Sequence, residues 1–194
     1  MNNKTLKMIL CAQFAALTAV GAFIRIPIPV VPFTLQYLFT MLAGLLLGGK
    51  YGGLSVLLYI FIGLIGLPVF TEGGGIGYVF KPSFGYIIGF AAGSYVTGNI
   101  ANRVGKLSYK RLFAANFIGL GIVYFFGMLY YYIISNFYLG TGIGLWPLFL
   151  YCFILAVPGD IALCILAAFI AKRVIPIINQ SVRGENEKRY EFIK

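Results

Sequence analysis

Of the five acidic residues in this 194-residue chain, Glu72, Asp160, Glu185, Glu187 and Glu191, only Asp160 stands inside an apolar stretch. An aspartate near the middle of a membrane-spanning helix costs about 2.5–3.5 kcal/mol on insertion scales. It also follows Pro158-Gly159. Proline removes one helical N–H and leaves a carbonyl without its usual partner, and glycine opens space beside it. A broken helix with an acid at the break is the pattern of a ligand or ion site. The structural alternative is a carboxylate paired with a basic group or several amides. Gln36, in Pro32-Phe33-Thr34-Leu35-Gln36-Tyr37, offers both a donor and an acceptor. Its alternative role is a helix–helix hydrogen bond, and the same choice holds for Asn116. Arg25 and Lys81 flank two unusual loops, and two cations at one mouth draw an anion. Otherwise they are interfacial residues snorkelling to water.

Other chemistries are poorly supplied. The chain has no histidine, which removes the commonest general base and metal ligand. Cys11, Cys152 and Cys164 lie in separate apolar stretches without CxxC spacing, so they read as small buried residues. No Gly-x-x-x-x-Gly-Lys-Ser/Thr loop is present to hold ATP. The net charge of +10 does not make a nucleic-acid binder, because the basic residues sit between apolar spans and form no stripe.

The elements that must hold these residues are membrane helices. Hydrophobic residues make up 60% of the chain and charged residues 10%, against about 25% charge in ordinary soluble domains. The bilayer is therefore the expected solvent. The expectation is an all-α, polytopic membrane protein of one domain, 1–194. Six spans run at about 6–24, 34–49, 52–68, 83–101, 112–134 and 147–171, with a polar tail at 172–194. A separate soluble motor or catalytic head would have to come from another chain. Spans two and three are joined tightly at Gly48-Gly49-Lys50-Tyr51-Gly52-Gly53, and span four is the least apolar, with Ser94, Thr97 and Asn99.

Charge sets the orientation. With both termini in the cytoplasm, thirteen of the fifteen basic residues are inside: Lys4, Lys7, Lys50, Arg103, Lys106, Lys110, Arg111 and the six from Lys172 onward. Only Arg25 and Lys81 are outside, as the positive-inside rule requires. The apolar run Met8–Ile24 exceeds the core of about 7–15 residues in a secretory signal, so it reads as a span. The tail from Pro176 is expected to be a cytoplasmic helix or frayed end on anionic lipid.

The outer loops are distinctive. Residues 25–32 are proline-rich and apolar, so they are extended and lie against the bundle mouth or the membrane. Residues 71–81 carry Gly73, Gly74, Gly75 and Gly77, which let the backbone turn sharply and approach a ligand. In span one, Ala12, Ala15, Ala16 and Ala19 give Ala-x-x-x-Ala twice. That small-residue stripe lets another helix come close, within the chain or from a partner.

Taken in order, these pieces resemble the BioY family, the biotin-specific substrate-binding (S) components of energy-coupling factor (ECF) transporters. The resemblance covers nearly the whole chain. It rests on the Ala-rich first span leading to Gly21-Ala22 and Ile26-Pro27, on Pro32-Phe33-Thr34-Leu35-Gln36, and on Gly66-Leu67-Pro68-Val69-Phe70 with the glycine loop. It rests also on Pro82-Ser83-Phe84-Gly85-Tyr86-Ile87-Ile88-Gly89-Phe90 and Pro158-Gly159-Asp160. Two features depart from the family pattern. A lysine common three residues after the aspartate is Leu163 here, and a central Pro-Thr-Gly-Gly-Tyr is Pro-Ser-Phe-Gly-Tyr. The role of that lysine therefore does not carry over.

The resemblance implies a six-helix subunit, without enzymatic activity or cofactor, that binds biotin on the outer side of a bacterial cytoplasmic membrane. A transmembrane coupling protein and two ATPase subunits would energise it, with the stripe of Ala12, Ala15, Ala16 and Ala19 facing the coupling protein. Membrane lipid is the remaining partner, and no nucleic acid is expected. Biotin carries a ureido ring, an apolar thiophane ring and a carboxylate tail. An ionised Asp160 suits ureido N–H groups, and Gln36 suits the ureido carbonyl. Tyr37, Tyr78, Phe84 and Tyr86 would wall the apolar ring, with Gly74 in the loop above. Arg25 or Lys81 would meet the carboxylate. The two loops would close over the ligand.

Four functions compete. They are the biotin subunit, an S component for another vitamin, an intramembrane enzyme, and a channel or solo carrier. One interior acid and no histidine argue against an enzyme. Isolated polar residues, in place of a continuous polar stripe, argue against a channel.

Overall fold

A computed structural model describes residues 3–26, 32–103 and 107–191, the side chains of 3 and 179–191 aside. Residues 27–31 of the proline-rich loop, Lys106, Lys194 and the side chains of the far tail lie outside the described residues.

The helices are α1 (Asn3–Phe23), α2 (Gln36–Leu47), α3 (Gly49–Leu64), α4 (Phe84–Ala101), α5 (Tyr109–Ile133), the short α6 (Leu145–Phe149) and α7 (Val157–Glu191). A wide π turn, Ile134–Tyr138, prolongs α5, and another, Leu150–Ile154, leads from α6 towards α7. With α6 and α7 counted as one interrupted span, this is the expected all-α architecture of six helices. A two-stranded ribbon joins α1 to α2: β1 (Arg25–Ile26) pairs antiparallel with β2 (Phe33–Thr34), Arg25 opposite Thr34.

The exterior suits lipid and not water. Phe61, Leu57, Phe125, Leu129, Leu166 and Ile177 are all exposed, which a soluble surface would not tolerate as a continuous belt. Lys4–Phe23, Tyr109–Tyr138 and Leu145–Ile178 are each long and apolar enough to cross a membrane. The basic residues segregate as expected. At one end Lys7 lies 5.2 Å from the Tyr51 ring centre, Lys172 donates to the Leu107 carbonyl, and Arg111 donates to the Arg103 carbonyl at 2.9 Å. Arg25 and Lys81 sit together at the other end, on loop residues Thr71 and Glu72.

Several boundaries move, for identifiable reasons. The hairpin expected over residues 48–53 shrinks to Gly48, whose φ of 83° suits glycine. Gly49, Gly52 and Gly53 are helical because α3 presses on its neighbours there. A Cβ on Gly52 would lie 2.5 Å from the Gly44 Cα of α2. Spans two and three are therefore 36–47 and 49–64, shorter than 34–49 and 52–68. At about 1.5 Å per residue α2 is only about 18 Å long. It is the central helix, with ten of its twelve residues buried, and its N-terminal end opens on the cavity described below. Span five starts earlier, where the Ser108 side chain accepts from the Arg111 N–H at 3.3 Å as an N-cap. The helix of span six does not end near 171 but continues through Pro176 to Glu191, its apolar stretch ending at Ile178.

Glycines also set the α4–α5 contact. Gly85, Gly89 and Gly93 recur every four residues on one face of α4, as in close-packed membrane helices. A Cβ on Gly89 would stand 2.9 Å from the Val123 Cα, and one on Gly93 3.1 Å from the Gly119 carbonyl. Within this interface Thr97 donates to the Ala115 carbonyl at 3.1 Å. Ser94 and Thr97 are buried in the bundle, while Asn99 is exposed.

Candidate functional site

A cavity opens among α2, α4, α5 and the interrupted sixth span, at the end of the bundle that carries Arg25 and Lys81. Gln36 and Tyr37 come from α2, Tyr86, Ile87 and Phe90 from α4, Val123 and Tyr124 from α5, and Cys152, Ala156 and Asp160 from the sixth span. Pro32, Phe33 and Thr34 of the ribbon, with Thr71, Tyr78 and Ser83, form its rim. Four helical spans, the ribbon and the loop of residues 71–83 thus bring together residues far apart in the chain.

Asp160 is the acid of this cavity. The helical break falls at Leu155–Ala156, just before α7 begins at Val157, so Pro158 lies in the first turn of α7. There its missing N–H costs little. Asp160 sits in that same turn, where the positive end of the helix dipole favours a carboxylate. Its Oδ2 accepts from the Tyr124 hydroxyl at 2.5 Å. No salt bridge to Asp160 occurs among the described residues, and Leu163, one turn on, is buried in the core. One carboxylate oxygen is thus engaged by a neutral donor. The adjoining Gly159 lets Phe33 cover the start of α7, since a Cβ there would meet the Phe33 ring at 2.5 Å.

Gln36 is 4% exposed and lines the cavity, but its amide is already engaged. Its Oε1 accepts from Thr34 at 3.1 Å, and its Nε2 donates to the Tyr59 hydroxyl at 2.5 Å. Tyr59 in turn donates to the Val69 carbonyl at 3.1 Å. One amide N–H and one lone pair remain for a ligand. Tyr37 donates its hydroxyl to the Asn116 carbonyl at 3.1 Å and stacks its ring on Phe90 at 6.1 Å. Tyr86 donates to the Cys152 carbonyl at 3.0 Å and meets Tyr124 edge to face. Both tyrosines therefore offer rings, not hydroxyls, to the cavity. Tyr78, at the rim, shares a hydrogen bond of 3.0 Å with Thr71.

Four of the expected residues do not line the cavity. Phe84 belongs to a buried aromatic cluster with Phe70, Tyr78 and Tyr130, behind the cavity wall. Gly74 is pressed on the Leu67 carbonyl group, so its missing side chain serves the packing of the loop. Lys81 pairs with Glu72 at 2.6 Å, and Arg25 donates to the Thr71 carbonyl at 3.0 Å. Both cations stand at the rim, outside the cavity lining. Asn116 takes the helix–helix role, donating from α5 to the Cys164 carbonyl of α7 at 2.8 Å.

Sequence reasoning missed Tyr124, Phe33 and Phe90. Phe33 and Phe90 stand inside motifs already singled out. Tyr124 is one of 14 tyrosines, and no local pattern marks it, because its partner lies 36 residues away.

The alanine stripe divides. Ala15 is buried and belongs to the cluster of Tyr59 and Phe70, with Ala19 packed beside it. Ala12 and Ala16 face outward. Half of the stripe thus packs internally, and the other half is exposed for another helix. The three cysteines are buried and free.

Comparison with known proteins gives concordant matches. The profile of the BioY family matches residues 1–180. A probable biotin transporter BioY of Lysinibacillus sphaericus is 48% identical over 179 residues, covering 92% of this chain and 91% of the relative. The biotin transporter BioY of Thermotoga maritima is 41% identical over 133 residues, covering 68% and 75%. A crystal structure of the S-component for biotin from an ECF-type ABC transporter superposes with a TM-score of 0.76 at 30% identity, covering 90% of this chain and 93% of that one.

Proposed function

The chain belongs to the BioY family, and on that basis we propose that it is a multi-pass membrane transport subunit, the biotin-binding S component of an ECF-type transporter. It captures biotin at the outer face and performs no chemistry on it. The observation that carries this reading is the cavity itself. A carboxylate, one oxygen of which is held by Tyr124, lies in an aromatic-walled site at the end of the bundle opposite Lys7, Arg111 and Lys172.

The chemistry of biotin fits these groups. The second oxygen of Asp160 accepts from a ureido N–H, and the spare N–H of Gln36 reaches the ureido carbonyl. Tyr37, Phe90, Tyr86 and Phe33 enclose the thiophane ring. The tail points to the rim, where Lys81 and Arg25 supply positive charge. Import is energised by a coupling protein and two ATPases, and the exposed Ala12–Ala16 face supports close approach of a coupling helix. Ala16→Leu should abolish co-purification with that module and leave biotin binding intact. Equal co-purification would remove this face from the interface.

The direct test is titration of ligand-free, detergent-purified protein with biotin and with biotin amide. Tight binding of biotin, weakened for the amide, is the expected result. A folded protein that binds neither would refute the assignment.

A further inference from the structure

The two outward cations are already occupied, and by the same stretch of loop. Lys81 Nζ stands 2.6 Å from Glu72 Oε2 and 3.4 Å from the Glu72 carbonyl oxygen. The same ammonium lies 5.1 Å from the ring centre of Tyr78, which lines the cavity. Arg25 donates to the carbonyl of Thr71, the residue before Glu72 and itself part of the rim. Positive charge thus converges on the cavity mouth, and a carboxylate sits on it. Glu72 and Lys81 are 49% and 40% exposed, so their pairing is weak and exchangeable.

We propose that Glu72 holds the place of the ligand's carboxylate on Lys81 and yields it when an acid-tailed ligand binds. This rests on the biotin reading above, because it requires a ligand that ends in a carboxylate. The exchange replaces one carboxylate by another on the same ammonium, so no bare cation is left in either state. Its consequence is a tempered affinity. Glu72 competes with the ligand's acid, and it does not compete with a neutral tail. A loop-stiffening role for Glu72 makes the opposite demand, since its loss would then weaken acid and neutral ligands alike.

The experiment compares Glu72→Gln, Lys81→Gln and the unaltered chain, each titrated with biotin and with biotin amide. Both substitutions are polar, similar in size and on an exposed loop, and thermal unfolding of each variant verifies the fold. Glu72→Gln is expected to bind biotin about two- to five-fold more tightly, the size of an exposed ion pair, with the amide unchanged. Lys81→Gln is expected to erase the difference between acid and amide. Biotin binding by Glu72→Gln that is equal to or weaker than that of the unaltered chain would overturn the proposal. So would an equal gain for the amide. Absence of biotin binding by the unaltered chain would instead refute the functional reading beneath it.

Discussion

The two ends of the cavity handle charge in opposite ways. At the inner end Asp160 of α7 faces α5, with a short hydrogen bond from Tyr124 and no cation in contact among the described residues. At the rim Lys81, Glu72 and Arg25 are exposed, paired with one another or with loop carbonyls. A polar group away from water is costly to leave unsatisfied, so a ligand that satisfies it gains strongly. Charges in water gain little from pairing, but they act at long range. On the proposed function, the inner end decides what binds, and the rim draws it in.

The largest break in this contrast is Asp160→Asn. An amide cannot replace both acceptor oxygens, and hydrogen bonds to charged groups contribute about 1.5–3 kcal/mol. Calorimetric titration should find biotin affinity reduced at least about ten-fold. Gly159→Ala acts next. Its Cβ would sit 2.5 Å from the Phe33 ring, so the ring must move into the cavity. Overpacking of this kind costs about 1–3 kcal/mol, seen as a lower unfolding temperature and weaker binding together. Tyr124→Phe removes one donor and keeps the ring, for a loss of about 1 kcal/mol, or about five-fold in Kd. The smallest effect is at the rim. Arg25→Gln should change biotin affinity by less than about three-fold. Association measured by stopped flow should slow more at low salt than at high salt, since the Debye length is about 10 Å at 0.1 M. A rim substitution costing more than Asp160→Asn would invert the comparison.

How far the sequence reveals this site also differs between the two ends. Asp160 stands out in the bare sequence because a lone acid in an apolar span is too costly to persist without a partner or a ligand. The segregation of basic residues gives the topology for the same reason, as charge in a membrane is too costly to be incidental. Lys81 and Arg25 lie at one end of the bundle, as the sequence implies, but their pairing with Glu72 and Thr71 depends on how the loops fold back. Phe84 and Tyr86 are two residues apart on one helix, so they point in different directions, and only packing selects Tyr86 for the cavity. Glycine is ambiguous between turn and close packing. Gly49, Gly52 and Gly53 look like a turn in sequence, whereas close contact with α2 and α4 makes them helical. Tyr124 is invisible because a hydrogen bond between helices leaves no local pattern.

The half-buried carboxylate, more than the exposed cations, should therefore determine ligand binding. Titration of the unaltered protein with two altered ligands, biotin methylated on the ureido nitrogens and biotin amide, puts the two ends of the cavity in direct competition. Methylation removes the donors that Asp160 would accept, and amidation removes the charge that the rim would meet. Methylation should weaken binding at least about ten-fold and amidation by only about two- to five-fold. A larger loss for the amide than for the methylated ligand would contradict the assignment of binding to the inner end.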